Sequence, residues 1–267
     1  MKKQMLVGVF CAVAVFVSPG AALAQQGKAP AKAAGKTQAT WWGHAAWILE
    51  TPGGARIAID PWLQNPKAPK DAKQPEALDA ILVTHAHSDH VGNAQELAKR
   101  TGAPVYGSFE LLGLIGTSDK DVAANIGGSF RVKDATITMV EAVHSSGYGQ
   151  DPKNLKYGGP AMGYVIQIDN GPVLYHAGDT DAFSSMELIA ERYKPTVALL
   201  PIGGYYTMDP NGAAVAARIL KVKTVVPMHY GTFPLLKGTP EELTAALKKQ
   251  RSAAKVQVAT PGQPLTF

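Results

Sequence analysis

Cysteine is almost absent from this sequence: its 267 residues contain a single one, Cys11. Cys11 lies in the apolar part of a segment, residues 1–24, that is typical of a secretory signal and is expected to be removed. The mature chain would then hold no cysteine. This absence excludes structural disulfides, a cysteine nucleophile and thiolate metal ligands, and it disfavours a structural zinc site, which is usually closed and rich in cysteine.

The apolar run of this segment, residues 5–17, is too short to span a membrane comfortably, and it follows the basic Lys2 and Lys3. Residues 22–24, Ala-Leu-Ala, fit the small-x-small rule for signal cleavage and predict Gln25 as the first mature residue. The sequence therefore predicts a periplasmic or secreted protein that has no membrane attachment after cleavage. A signal retained as an anchor is the alternative.

Charge is also sparse: charged residues make up 18% of the chain, and 26 Lys and Arg against 21 Asp and Glu give a formal net charge of +5. Removing residues 1–24 takes away Lys2 and Lys3 and lowers this charge to +3. Much of the remaining excess lies in residues 25–37, which are predicted to be a flexible leader. No basic patch is interleaved with aromatic residues, so we expect a small-molecule substrate and no nucleic-acid partner.

The remaining residues, 38–267, are numerous enough for one domain with a substantial core. Strands mixed with helices are predicted twice along this stretch, so each half could supply one sheet with covering helices. This pattern predicts two sheets packed face to face with helices outside. We also predict a helix at residues 91–100, two short helices within 109–125, a glycine-rich functional loop at 145–160 and a strand at 256–258 that closes the sheet.

The strongest functional signal follows a short apolar run that predicts a buried strand. Four candidate metal ligands occur there within six residues: His85, His87, Asp89 and His90. His85 and His87 are two apart, so in an extended chain they point to the same side and can reach one cation. The chain then turns into a helix, which can aim Asp89 and His90 at a second cation. Imidazole and carboxylate suit zinc, iron or manganese.

Further candidates come at the ends of other predicted apolar strands: His144, His176, Asp179 and His229. One histidine after a strand is more often a hydrogen-bonded loop residue than a ligand. Four such positions in one chain favour a shared site, because functional residues gather on loops that a rigid scaffold positions. For the first cluster, the alternative is a polar strand end whose histidines only face water.

The order His-x-His-x-Asp-His at residues 85–90, followed by His144, Asp179 and His229, resembles the hallmark of the metallo-β-lactamase-fold hydrolases. More narrowly, the chain resembles the UlaG-like branch of metal-dependent hydrolases, which is related to ascorbate-phosphate lactonase. The resemblance implies an α/β fold, a four-layer αββα sandwich of two packed mixed β-sheets with helices on the outer faces. The narrower resemblance is carried by residues 42–46, 59–63, 144–147, 175–180 and 227–233.

The resemblance implies two divalent metal ions, with zinc expected and manganese or iron as alternatives. It implies three histidines for the first ion, two histidines and a carboxylate for the second, and one carboxylate shared by both. In that order the implied ligands are His85, His87 and His144; Asp89, His90 and His229; and Asp179.

The implied function is that of an exported dinuclear hydrolase, in which a metal-bridging hydroxide cleaves an ester, lactone or phosphoester bond. Asp89 is expected to orient this hydroxide or accept its proton, and His44 to face the pocket and contact the substrate. Asp60 is expected to receive the second ring proton of a ligand histidine, and His176 to support the site without ligating. The alternatives are a hydrogen-bonded buried histidine for His44 and a turn-capping role for Asp60.

Two other functions stay open. Amide hydrolysis of the β-lactamase type is disfavoured, because those enzymes lack the bridging carboxylate that Asp179 would supply and many use a cysteine ligand. A non-catalytic metal-binding protein of the same fold is the alternative from a different class. The sequence is also compatible with an oligomer. Candidate pocket-loop residues are Tyr148, Lys156, Tyr205 and Tyr206.

Overall fold

The computed structural model describes residues 35–71, 74–116 and 118–267. The predicted signal at residues 1–24 and most of the predicted leader lie outside the described residues, so both stay predictions. No helix in the described ranges is long and apolar enough to cross a membrane.

Two mixed sheets of seven strands each form the inner layers, and a two-stranded hairpin is separate from them. The first sheet contains β1 (Gln38–Trp41), β2 (Trp47–Glu50), β3 (Arg56–Ile59), β4 (Ala80–Leu82), β5 (Val105–Ser108), β6 (Val122–Ala124) and β16 (Pro264–Thr266). The second sheet contains β7 (Ser129–Val132), β8 (Ala135–Glu141), β11 (Met162–Ile168), β12 (Val173–His176), β13 (Val197–Pro201), β14 (Thr224–Met228) and β15 (Lys255–Val256). The hairpin pairs β9 (Gly147–Tyr148) with β10 (Lys156–Tyr157). The spatial orders are β16-β1-β2-β3-β4-β5-β6 and β15-β14-β13-β12-β11-β8-β7.

Helices cover the outer face of each sheet. The three helices of the first half pack on the first sheet, and the three of the second half pack on the second. They are α1 (Ser88–Val91), α2 (Ala94–Thr101), α3 (Phe109–Ile115), α4 (Met186–Tyr193), α5 (Pro210–Leu220) and α6 (Pro240–Lys249).

Alternation of side chains along the strands decides which layer each apolar residue joins. In β4, Ala80 and Leu82 belong to the core between the sheets, whereas Ile81 packs with the helices outside. In β13, Leu199 belongs to the core between the sheets and Leu200 packs with the helices on the other side. Continuous apolar runs therefore mark strands that are covered on both faces. The predicted four-layer αββα sandwich is confirmed.

Polar contacts between the two sheets fix the segment that follows β4. The Tyr164 hydroxyl of β11 donates to the carbonyl oxygens of Val83 (2.9 Å) and Tyr106 (3.2 Å). The backbone N–H of Met162 donates to the carbonyl oxygen of Thr84 at 3.1 Å. Because Tyr164 is fully buried, these bonds are shielded from water, and they hold the chain just before His85.

The prediction of two helices within residues 109–125 is wrong. This stretch contains one helix, α3, followed by the strand β6. The helix continues through Gly113, although glycine costs about 1 kcal/mol in a helix interior. Burial of Leu111 and Ile115 against the first sheet offsets that cost.

Three further predictions differ in detail. The helix predicted at residues 91–100 is observed as α2, which begins only at Ala94, and Val91 ends the short helix α1. Between them Gly92 adopts φ 41° and ψ −119°, outside the helical region. The predicted loop at 145–160 contains the β9–β10 hairpin. The strand predicted at 256–258 is Lys255–Val256 and lies at the edge of the second sheet. The C-terminal strand β16 was not predicted; it pairs with β1.

The backbone at Gly92 gives a stability prediction. A Cβ at Gly92 would lie 2.5 Å from the Cα of Trp62 and 2.8 Å from the carbonyl oxygen of Pro61. We expect Gly92→Ala to lower the free energy of unfolding by about 3 kcal/mol or more, since it combines backbone strain with overpacking. Urea unfolding of chelator-treated protein would measure the change.

Gly102 provides a matched control for this prediction. It also follows a helix with positive φ (72°), but a Cβ there would meet nothing within 4 Å. Gly102→Ala should therefore lower the free energy of unfolding by only about 1–2 kcal/mol, the cost of the left-handed conformation. Equal effects of the two substitutions would contradict the proposed clash with Trp62.

Candidate metal centre

Strand direction brings the candidate ligands to one edge of the sandwich. β3 and β4 are parallel, so Asp60 and His85 follow them at the same edge of the first sheet. β12, β13 and β14 are parallel, so Asp179 and His229 follow them at one edge of the second sheet. β8 and β12 both run antiparallel to β11, which directs His144 to that same edge. His144 comes three residues after β8 ends, rather than directly after it as predicted.

All seven implied ligands belong to one cluster. Among the residues that the structure describes, three sets of side chains could hold a metal ion, and within each set one ligand atom per residue lies within 4.8 Å of the others. Two of the histidines occur in more than one set, so the sets are continuous. The sets are His85, His87 and His144; His85, His90 and Asp179; and His44, Asp89, His90 and His229.

The first histidine set presents nitrogen atoms to a common point. His85 Nε2 lies 2.9 Å from His87 Nδ1. The opposite ring nitrogens face hydroxyl groups: His85 Nδ1 lies 3.0 Å from Thr84 Oγ1, and His87 Nε2 lies 3.4 Å from Ser145 Oγ. A hydrogen bond on one ring nitrogen fixes which nitrogen has a free lone pair. His85 is thereby oriented for ligation through Nε2.

Asp179 connects the histidines of both halves of the cluster. Its Oδ1 lies 3.3 Å from His90 Nε2, and its Oδ2 lies 3.1 Å from His229 Nε2 and 3.6 Å from His144 Nε2. The side chain is only 4% exposed. A single buried carboxylate therefore reaches both predicted ligand groups, which is the position the implied bridging role requires.

Asp60 is fully buried beneath the cluster. Its Oδ2 accepts from His90 Nδ1 at 2.7 Å and from Thr84 Oγ1 at 2.7 Å, and its Oδ1 accepts from the backbone N–H of Thr84 at 2.8 Å. The Thr84 hydroxyl can then accept from His85 Nδ1. Asp60 therefore receives the second ring proton of His90, as predicted, and through Thr84 it also orients His85.

His44 is buried behind Asp89 and is not exposed. Its Nε2 lies 3.0 Å from Asp89 Oδ2 and its Nδ1 lies 3.0 Å from Thr232 Oγ1. Burial, together with the charge of His229, lowers the pKa of His44 to about 4. With 0% side-chain exposure, His44 does not face the pocket, so the expected contact with substrate is wrong. The ring instead holds the carboxylate of Asp89, because that carboxylate and Thr232 occupy both ring nitrogens.

His176 has a supporting position, as predicted. The ring is fully buried, and its Nε2 lies 3.1 Å from the carbonyl oxygen of Ala45. Its Nδ1 accepts from the backbone N–H of Gly178 at 3.2 Å. These bonds connect the segment before Asp179 to the segment after His44.

Several buried polar atoms of the cluster lack hydrogen-bond partners among the described residues. They are His90 Nε2, Asp179 Oδ1 and both ring nitrogens of His229. Buried polar atoms are nearly always paired, and an unpaired group costs about 1–3 kcal/mol. His90 Nε2 lies 3.3 Å from Asp179 Oδ1, and His229 Nε2 lies 3.1 Å from the other oxygen of the same carboxylate, so cations bound beside Asp179 would satisfy these atoms. The donor set therefore fits divalent metal ions.

The pKa shifts within the cluster also favour metal binding. Burial lowers the pKa of His85 well below its ordinary value, so the ring is neutral and available as a ligand. Burial also lowers the pKa of His90, but the carboxylates of Asp179 and Asp60 outweigh it and raise that pKa well above its ordinary value. Burial raises the pKa of Asp179, yet His229 and His90 hold it well below the usual range. Positive charge is therefore stabilised at this point, and metal binding would displace a proton.

Three residues of the site have left-handed backbone conformations: His44 (φ 52°), Asp60 (φ 44°) and His229 (φ 54°). Each such conformation costs of order 1–3 kcal/mol in a residue other than glycine. The backbone N–H of His229 donates to the carbonyl oxygen of His44 at 2.9 Å, and Trp41 Nε1 donates to the same oxygen at 2.9 Å. These two bonds hold the backbone of His44 and His229 in place.

A cavity of about 920 Å³ opens beside Asp89, and Tyr206 is the one predicted pocket-loop residue that lines it. Tyr205 lines a different cavity, and Tyr148 and Lys156 line neither. Sequence reasoning did not single out two other lining residues, Trp62 and Phe233, although both lie in stretches that carried the family resemblance. It also missed the hydroxyl groups that orient the histidines, although Thr84 and Thr232 lie within three residues of a ligand.

Comparison with known proteins agrees with the fold and the cluster. A family model described as the beta-lactamase superfamily domain matches residues 38–229. A UPF0173 metal-dependent hydrolase from Myxococcus xanthus is 64% identical over 238 residues, covering 88% of this chain and 85% of the relative. A UPF0173 metal-dependent hydrolase from Rubrobacter xylanophilus is 44% identical and covers 86% of this chain and 97% of the relative.

One solved structure is also similar to this chain in sequence and fold. Igni18, a metallo hydrolase from the hyperthermophilic archaeon Ignicoccus hospitalis, is 38% identical, with a TM-score of 0.76 over 87% of this chain and 99% of that chain. The relatives are named metal-dependent hydrolases, and the His/Asp cluster at one edge of the two sheets could hold the metal. The chain belongs to the β-lactamase superfamily and, within it, to the UPF0173 metal-dependent hydrolases. The predicted superfamily is confirmed, and the narrower UlaG-like relationship stays a prediction.

Proposed function

We propose that this metal-dependent hydrolase holds two divalent metal ions and cleaves an ester, lactone or phosphoester bond in a small molecule. One observation carries the proposal: the buried carboxylate of Asp179 lies within 3.1–3.6 Å of His90, His144 and His229, which belong to both predicted ligand groups. A carboxylate in that position supports a pair of neighbouring ions better than a single one. Zinc suits this donor set, and manganese or iron are alternatives.

In this proposal one ion would be held by three histidines, and the other by two histidines and a carboxylate. Bound ions of this kind polarise the scissile bond and activate water near neutral pH. The first group is His85, His87 and His144, the second is Asp89, His90 and His229, and Asp179 is shared.

Asp89 is proposed to orient the attacking water. Its side chain is 27% exposed and lines the cavity, whereas its partner His44 is buried. Burial raises the pKa of Asp89, but the hydrogen bond to His44 and the charge of His90 outweigh it and hold that pKa well below the usual range. The hydrogen bond from His44 at 3.0 Å fixes the carboxylate beside the cavity, and this fixed position supports the orienting role.

Export is a further part of the proposal. It is supported by the basic start, the short apolar run and the cleavage pattern of residues 1–24 alone. A mature protein beginning at Gln25 would act in the periplasm or outside the cell.

Metal content and turnover test this function together. Elemental analysis of untagged protein, supplemented with zinc or manganese, is expected to give two ions per chain. The same protein should hydrolyse at least one class among lactones, carboxylic esters, phosphomonoesters and phosphodiesters, with β-lactams as the amide control. His87→Ala removes one ligand of the first group, so turnover should fall by on the order of 10³-fold.

Stripping the wild type with a chelator and reloading it provides the control, since activity should disappear and return. Bound metal without turnover on any substrate would favour a non-catalytic metal-binding protein instead. Equal turnover by wild type and His87→Ala would remove the metal mechanism.

A further inference from the structure

Large aromatic and aliphatic side chains form part of the wall of the cavity beside Asp89. They are Trp62, Tyr206, Phe233 and Leu235. Phe233, Leu235 and Tyr206 are 37%, 44% and 53% exposed, so these apolar surfaces face the cavity or solvent and not the protein core. Large apolar side chains exposed together next to a catalytic cluster mark a ligand-binding surface.

The aromatic part of this wall begins at the metal centre. The rings of Trp62 and Phe233 lie 5.9 Å apart with an interplanar angle of 28°. Both make edge contacts with the ring of His44, at 5.3 Å and 5.7 Å between centroids. Since His44 holds Asp89, a substrate whose scissile bond reaches the metal centre would place its neighbouring groups against these two rings.

The charge of the cavity restricts what those groups can be. Of the described residues that line it, Asp89 alone is charged, and the polar ones are neutral: Gln64, Ser88 and Gln150. No lysine, arginine or histidine is among these lining residues. A phosphate or carboxylate on the substrate, away from the bond that is cleaved, would meet a carboxylate and no compensating cation.

We propose that this cavity binds an uncharged aryl or alkyl group of the substrate, and that the substrate is a carboxylic ester or lactone. This inference rests on the proposed hydrolase function and specifies its substrate. In the reaction, water adds its oxygen to the carbonyl carbon and the bond from that carbon to the alcohol oxygen breaks. One proton of the water goes to the alcohol, and the other is released as the acid ionises. No other reactant is consumed.

Matched esters with one leaving group test the proposal. For 4-nitrophenyl acetate, butyrate and hexanoate, kcat/KM should rise by about 4-fold per methylene until the wall is covered, as burial of apolar groups predicts. The 4-nitrophenyl monoester of adipic acid has a chain of the same length that ends in a carboxylate. Its kcat/KM should be at least tenfold below that of the hexanoate.

Substitutions in the wall should act on this preference. Phe233→Ala and Tyr206→Ala should each lower the ratio of kcat/KM for hexanoate over acetate by at least threefold, and Phe233→Leu should restore most of it. Phe109→Ala is the matched control, since Phe109 is 66% exposed on α3 and does not line the cavity. It should leave the ratio unchanged.

A binding measurement separates this inference from the hydrolase function. Calorimetric titration should show that 4-phenylbutanamide binds, and that Phe233→Ala lowers its affinity at least fivefold. Adding a carboxylate to the phenyl ring of this amide should lower the affinity for the wild type by a similar factor. If none of the carboxylic esters, lactones and phosphoesters is hydrolysed but the amide binds in this way, the hydrolase proposal fails and the apolar site stands. If phosphoesters alone are hydrolysed, the inferred substrate class is overturned while the hydrolase function stands. If carboxylic esters are hydrolysed but neither Phe233→Ala nor Tyr206→Ala changes the ratio of kcat/KM for hexanoate over acetate, the apolar site is overturned while the hydrolase function stands. A preference for the carboxylate-ended ester would lead to the same conclusion.

Discussion

Replacing Asp179 with asparagine is expected to lower turnover by on the order of 10³-fold and to reduce bound metal from two ions to one or none. The two oxygens of Asp179 reach His90 and His229 on one side and His144 on the other. An asparagine keeps the shape but offers one oxygen and no negative charge. Without the negative charge it binds cations more weakly, and its NH₂ group replaces either Oδ1, which faces His90, or Oδ2, which faces His144 and His229. In both cases an N–H donor is turned toward histidine nitrogens that should bind metal.

Asp181→Asn is the matched control for this substitution. Asp181 is exposed two residues along the same loop, and its Oδ1 accepts only a local hydrogen bond from the backbone N–H of Ala182 at 2.7 Å. An amide oxygen can replace that acceptor, so metal content and turnover should stay at the wild-type level. Two ions and wild-type turnover in Asp179→Asn would show that the carboxylate is not shared.

Asp60→Ala should have the largest effect on stability, lowering the free energy of unfolding by about 3–5 kcal/mol, as expected when one partner of a buried ion pair is removed. Asp60 is buried and accepts three hydrogen bonds, two from Thr84 and one from His90. Alanine would remove the acceptor of all three bonds and leave the buried backbone N–H of Thr84 without it, while the Thr84 hydroxyl keeps its neighbours His85 and His90. Denaturant unfolding of chelator-treated protein measures this loss without the contribution of metal binding.

Asp60→Asn tests whether Asp60 orients the histidines in addition to stabilising the fold. The amide can still accept from the backbone N–H of Thr84, but its NH₂ group then faces His90 Nδ1 and Thr84 Oγ1. The hydrogen bond to His90 reverses, so the ring proton moves to Nε2, the atom that should bind metal. Most of the stability should remain, whereas metal affinity should fall by about 10–100-fold, the usual effect of losing such a partner.

Chelator competition would measure that affinity, with urea unfolding as the parallel readout. Wild-type metal affinity in Asp60→Asn would mean that the carboxylate supports the fold and does not orient the ligands. A loss of affinity that merely follows a loss of stability would lead to the same conclusion.

The sequence was most informative where ligand spacing is local. His85, His87, Asp89 and His90 are within six residues, and a strand followed by a turn leaves few ways to arrange them. It was least informative where backbone conformation depends on distant contacts. The predicted helix begins only after Gly92, whose backbone lies against Trp62, and no periodicity within residues 91–100 encodes that contact.

From the sequence alone, the pattern of apolar strands predicted two sheets packed face to face, because such a pattern is local and one-dimensional. The family, the four-layer arrangement and the set of candidate ligands also came from the sequence, through its resemblance to a known family. Tertiary structure alone decided how those residues are used. It buried His44 behind Asp89, connected Asp60 to His90 directly and to His85 through Thr84, and assembled the cavity wall from Trp62, Tyr206 and Phe233. Residues so far apart in the chain acquire a common role only when the packing of two sheets brings their side chains within contact distance.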